Sequence, residues 1–182
     1  FMQFKYDEAI PLYEKLIAQG FDNFESNFIL GLCYEDQPDN EKALKHYQKA
    51  VQFKSDNATC LFHLALVEKA FNMDSLSMAH FNQSLEVSLP KGRALRTYKW
   101  LADLHFQHHR YTDAARDFEL CTLYDEEDNP LNYYNAAQMF IASKNKLKAK
   151  LYLQMFLANA NRLEDKKEAA QLISKAKEQL KQ

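Results

Sequence analysis

Glycine occurs only three times in these 182 residues and proline only four times. So few turn-formers argue against many short strands joined by tight turns and favour long helices. A phosphate-cradling loop needs close backbone approach to its ligand, and a chain this poor in glycine cannot build one. Cysteine is scarce too. Cys33, Cys60 and Cys121 form no CxxC pair and are odd in number, so reduced, partly buried thiols are expected and a disulfide framework is not. No apolar run approaches the roughly 18 residues of a spanning helix, so no membrane insertion is expected. Neither charge sign dominates: the net charge is −2, with Lys and Arg spread along the chain. The basic stripe that a nucleic-acid backbone demands is missing, and no nucleic-acid partner is expected. There is no signal-peptide pattern. The chain opens in mid-pattern, with Phe1-Met2-Gln3-Phe4 reading as the end of a helix, which suggests a piece of a longer protein.

What is present is a recurring pattern. Ala9-x3-Tyr13-x2-Leu16 returns as Ala43-x3-Tyr47-x2-Ala50 and Ser77-x3-Phe81-x2-Ser84, at steps of 34. It returns again as Ala114-x3-Phe118-x2-Cys121 and Ala149-x3-Leu153-x2-Phe156, at steps of 37 and 35. A period in this range, small residue then bulky residue, marks stacked helical hairpins. Apolar spacing predicts helices over 7–20, 24–36, 40–53, 58–71, 74–88, 93–108, 111–124, 130–143, 146–160 and 164–181. Asp39 or Asn40, Asp56 or Asn57, and Asp74 stand where N-caps are needed. Pro90-Lys91-Gly92 is the clearest break and coincides with the long step.

The other helix of each hairpin carries its own signature. Leu30-Gly31-x2-Tyr34 recurs as Leu64-Ala65-x2-Glu68, Leu101-Ala102-x2-His105 and Asn135-Ala136-x2-Met139. Small residues on both helices let the pair approach closely, and the aromatic four later fills space toward the next hairpin.

These residues resemble the tetratricopeptide repeat family, W-x2-L-G-x2-Y followed by A-x3-F. The resemblance implies an all-α, right-handed superhelical α-solenoid of stacked helix-turn-helix repeats. It divides the chain into a partial repeat over 1–23, repeats over 24–57, 58–94, 95–128 and 129–162, and a C-terminal capping helix over 163–182. The last helix has Ala169, Leu172, Ile173, Ala176 and Leu180 on one stripe, suited to sealing the final hairpin or to meeting a further domain. The departures are Asn27, Leu61, Tyr98 and Asn132 at the family's Trp position, and Glu68 at a bulky aromatic one.

Candidate chemistry is sparse. There is no G-x-S-x-G and no H-E-x-x-H. His105 could share a helix face with His109, four on, or His108, three on, yet His105 sits at a core position and the other two at a helix end. Asp125, Glu126, Glu127 and Asp128 lack the ligand spacing of a calcium loop and read as a solvated acidic turn. Trp100 fits either the core or the surface. No catalytic residue, metal or cofactor is assigned, and no enzyme is expected.

In tetratricopeptide proteins the first helix of each repeat lines the concave side, so the resemblance implies inward-facing residues here. They include Phe28 and Leu32, then Phe62 and Leu66, then Arg96, Lys99 and Asp103, then Tyr133 and Phe140. Such a groove is apolar at one end, charged in the middle and aromatic again at the other. Apolar side chains on a face the core does not require suggest a partner, the alternative being that they cover one another. One family subclass clamps chaperone tails with Lys and Asn at positions held here by Phe28, Leu32, His63, Arg96 and Trp100, so no such clamp is expected. The leading expectation is a scaffold that takes a protein or peptide partner along the concave face. The second is a structural length of solenoid in a larger assembly; the chain is then either a monomer or part of a complex.

Overall fold

Every expected helix forms. The computed structural model describes residues 6–125 and 127–181. Among them are ten α-helices, one turn of 3-10 helix and no strand. The Phe1–Phe4 segment, expected to end a helix, lies outside the described residues, as does Glu126. The fold is all-α, and the chain divides into two units, Phe1–Leu89 and Pro90–Gln182, each built of packed antiparallel helical hairpins.

The first unit contains α1 (Tyr6–Ala18), α2 (Phe24–Asp36), α3 (Asn40–Phe53), α4 (Ala58–Ala70) and α5 (Asp74–Val87). Sequential helices pair, α2 with α3 and α4 with α5, and α3 packs on α4. The core comprises Leu30, Tyr34, Ala43, Tyr47, Ala50, Cys60, Leu64 and Val67. Asp39 and Asn57 cap α3 and α4 by accepting from Lys42 N–H (3.2 Å) and Cys60 N–H (2.9 Å). Asp74 does not cap. The N-cap falls on Met73, because α5 begins at Asp74 itself, where negative charge still favours the first turn.

The second unit contains α6 (Lys91–Gln107), α7 (Tyr111–Tyr124), α8 (Pro130–Ala142), α9 (Lys146–Asn159), the 3-10 turn Ala160–Arg162 and α10 (Lys166–Gln179). The Pro90-Lys91-Gly92 break is shorter than expected. Pro90 is the N-cap of α6, and Lys91 and Gly92 already form its first turn. The terminal helix also begins later than 164, since Asp165 caps it through Lys167 and Glu168 N–H. Ala169, Leu172, Ile173, Ala176 and Leu180 lay their stripe on the core of the last hairpin. Gln138 and Gln179 exchange two amide hydrogen bonds of 3.0 Å beside it.

With so little glycine, the tight hairpin turns use other residues. Asn72, His109 and Lys144 take left-handed conformations, with φ of 57°, 57° and 61°. After each, the next N–H reaches back five residues: Met73 to Glu68 O (2.9 Å), Arg110 to His105 O (2.8 Å) and Asn145 to Phe140 O (2.8 Å). This helix-ending bond satisfies otherwise orphaned carbonyls and offsets the cost of positive φ.

Candidate functional site

Gly31 sets the geometry of the surface on α2 and α4. A Cβ there would lie 2.5 Å from both Cδ1 and Cε1 of Tyr47, so only glycine admits this ring. Tyr47 is fully buried, and its hydroxyl donates to Glu35 Oε2 at 2.5 Å. The same carboxylate oxygen meets His63 Nδ1 at 2.9 Å, and the His63 ring stacks on Tyr47 at 5.9 Å. The aromatic therefore fills space within its own hairpin as well as toward the next. Burial pushes the Glu35 carboxyl up, but the bonds from His63 and Tyr47 outweigh this and hold it below its ordinary value. Burial and the neighbouring carboxylate push the Tyr47 phenol up.

Around this fixed centre stand the expected groove residues of the first unit. Phe28 is half-buried, stacks on Phe24 at 5.5 Å and touches Tyr47 and His63. Leu32 and Leu66 are half-buried. Phe62 is different: at 2% exposure it lies under its neighbours, 6.0 Å from Phe81, and offers no area to a partner.

In the second unit Arg96 and Asp103 are exposed and Lys99 is half-buried. Tyr133 and Phe140 are not open groove residues. They are 8% and 5% exposed, because both pack on Tyr152 and Tyr133 donates its hydroxyl to Asp128. Trp100 is half-buried.

The polar residues that depart from the family pattern prove to be internal ties. Glu68 is 1% exposed and its Oε2 meets His80 Nδ1 at 2.7 Å. His105, also buried, places Nδ1 2.6 Å from Asp117 Oδ2, while Arg110 Nη2 lies 2.6 Å from its Nε2. Arginine only donates, so Nε2 accepts and Nδ1–H donates to Asp117. Burial pushes the Asp117 carboxyl up, against the lowering effect of His105. His108 and His109 stand exposed at the end of α6, and His109 carries the turn. Asn27 donates to Asp22 Oδ1 (2.6 Å) and Asn23 O (2.9 Å), and Asn132 donates to Asp125 Oδ2 (2.5 Å). At the family's Trp position these amides bond the preceding loop instead of packing a ring. Ser77, at a small-residue position, donates to Ala65 O across its hairpin at 2.8 Å.

The acidic turn is more tightly tied than a solvated loop. Asp128 accepts from Tyr133 and from Arg162 Nη1 (2.7 Å), and the Tyr133 bond, with help from Arg162, holds its carboxyl below the ordinary range. All three cysteines are free and buried, and burial pushes the Cys60 and Cys121 thiols up to about 12. None has the lowered pKa of a nucleophile. No group of three or more potential metal ligands occurs among the described residues, and none of their helices is long and apolar enough to cross a membrane.

Comparisons with known proteins agree with this geometry. A family model described as anaphase-promoting complex, cyclosome, subunit 3 matches residues 2–73. The Vi polysaccharide export protein VexE of Salmonella typhi is 28% identical over 146 residues, which is 77% of this chain and 22% of that protein. The chain thus spans about a fifth of that relative's length. Among solved structures, MamA superposes with a TM-score of 0.70 at 15% identity, over 86% of this chain and 90% of MamA. YrrB, described as a TPR protein with an unusual peptide-binding site, gives 0.66 at 13% identity, over 92% of this chain and 91% of YrrB. At these identities the likeness to the solved structures is one of fold.

Proposed function

We propose that this chain, which has the fold of a tetratricopeptide repeat protein, is a non-catalytic scaffold that binds a segment of another protein on its first-helix faces. The observation that carries the reading is the Phe28, Leu32 and Leu66 surface on α2 and α4. It is half-buried and apolar, and Phe28 and Leu32 pack on the core that holds Tyr47, which is tied through Glu35 to His63. A preformed apolar face reduces the ordering cost of binding. In the second unit, taken by itself, Arg96, Lys99 and Asp103 are read as a charged face of α6. Phe62, Tyr133 and Phe140 act from below, each within its own unit, by fixing the helices. Each of the stretches 24–57, 58–94, 95–128 and 129–162 is read as one repeat. Peptide recognition is the property that YrrB's description names for YrrB, and it supports the same reading here.

The test begins with photo-crosslinking residues placed at Leu32 and Leu66 to identify the bound segment. Its affinity is then measured for Leu32→Lys and Leu66→Lys variants that keep the parent's circular dichroism. Weakening of about tenfold or more is expected, roughly 1.4 kcal/mol. Parent-like affinity in both variants refutes the surface.

A second reading, a structural length within a multi-subunit assembly, is favoured by the family model over 2–73, whose description names a complex subunit. Native mass spectrometry of the protein at its cellular concentration separates the two. A stable monomer with an open surface disfavours obligatory assembly.

A further inference from the structure

A recess of about 440 Å³ lies beside α9 and the end of α10, and none of its lining residues belongs to the Phe28, Leu32 and Leu66 surface. Ala149 and Leu153, 5% and 2% exposed, are core residues reached from its floor. Ile141, Leu180 and Gln179 also line it, together with Lys144, Lys146 and Lys150. The volume is within the range of about 300–1,000 Å³ seen for ligand sites.

What sets these three lysines apart is their place, since all three line one recess. Lys42, Lys49 and Lys148 each hold a carboxylate, Asp39, Asp22 and Glu119 respectively. Lys144, Lys146 and Lys150 are all exposed, and among the described residues none of them makes an ion pair. The Lys144 backbone is nonetheless fixed, in a left-handed turn closed by its N–H to Ile141 O at 3.0 Å. Three cations without a carboxylate partner therefore line the same recess as Ala149 and Leu153. Two further apolar side chains stand on α9 nearby, Leu147 at 82% and Leu151 at 51% exposure.

We propose that this recess receives a peptide segment of another protein in which a large apolar side chain is flanked by carboxylates. The apolar side chain enters over Ala149 and Leu153, and the carboxylates meet Lys144, Lys146 and Lys150. Charge complementarity selects the partner's sign, and the recess selects its shape. A bilayer does not exploit a recess, since its headgroups present no side chain to enter one. Nucleic acid does not exploit this floor, since no aromatic ring lines it for base stacking. The inference is independent of the Leu32 and Leu66 surface.

The probe is a fluorescein-labelled peptide of about twelve residues, with a Leu-Phe centre flanked by Asp and Glu, titrated with the full chain and followed by anisotropy. Saturable binding is expected, weakened about tenfold by the surface triple variant K144E/K146E/K150E and several-fold by raised salt. Ile141→Asp weakens it as well, as does replacing Leu-Phe in the peptide by Ser-Ser. Leu32→Lys and Leu66→Lys leave it unchanged, which separates this site from the one above. The proposal is overturned by three results: no saturable binding to the parent, equal affinity in the triple variant, or lysine-dependent binding only to phosphatidylglycerol vesicles or single-stranded DNA.

Discussion

Replacing Gly31 by alanine sets two effects of opposite sign against each other. Gly31 lies inside α2, where alanine is favoured over glycine by about 1 kcal/mol. The added methyl, however, falls 2.5 Å from two ring carbons of Tyr47 and 3.0 Å from a third. The ring cannot step aside freely. It is fully buried, stacks on His63 and is held by its hydroxyl on Glu35, one turn along the same helix as Gly31. Overpacking of this kind costs about 1–3 kcal/mol, and displacing a hydrogen bond to a charged group costs about 1.5–3 more. After subtracting the helix gain, Gly31→Ala is expected to lose about 1.5–5 kcal/mol, read by urea denaturation followed by circular dichroism. Combining it with Tyr47→Ala removes the clash, so the double variant is more stable than the summed single losses by about 1–3 kcal/mol. Gly92→Ala provides the contrast. That position faces open space in the first turn of α6, and the substitution is expected to gain about 0.5–1 kcal/mol. If Gly31→Ala matches or exceeds the parent, close helix contact does not govern this hairpin.

Glu68→Ala leaves a void and strips His80 of its partner, for an expected loss of about 2–4 kcal/mol in the same assay. Glu68→Leu is expected to recover part of that loss by refilling the volume, and a further loss relative to alanine contradicts the account. Glu35 is held below its ordinary pKa near 4.5, so its contribution is fully present above that value and is lost as pH falls through the lower folded value. Glu35→Gln is therefore less stable at neutral pH yet flatter below about pH 5. Equal slopes for Glu35→Gln and the parent through that acid range rule out the carboxylate bridge.

The helices and their pairing were legible because the small and bulky positions are themselves the packing rule. Gly31 admits a close approach, as the pattern implied, but what approaches is the Tyr47 ring, which the pattern sent toward the next hairpin. Glu68 and His105 were not legible as ties, because what each answers lies across the hairpin. Yet a signal was available. Ala65 and Ser77, like Ala102 and Ala114, are twelve residues apart, and so are Glu68 and His80, and His105 and Asp117. Reading twelve residues ahead from Glu68 and His105 finds their partners, whereas Asn27 and Asn132 bond the loop before them. Exposure was harder. The positions assigned to the groove do not distinguish Phe28, half-buried, from Phe62, covered through Phe81, because both are phenylalanines on equivalent faces.

The twelve-residue pairs also act as labels that distinguish one hairpin from another. At matching places α2 and α3 join Tyr34 to His46 by ring stacking, α4 and α5 join Glu68 to His80, and α6 and α7 join His105 to Asp117 with the acid and the base exchanged. Were α4 to take α7 as its mate during folding, Glu68 would confront Asp117, two acids in a dry interior. Were α6 to take α5, two imidazoles would meet with no acid between them. Repeats similar enough to be shuffled are kept in order by what each would find opposite if it chose wrongly.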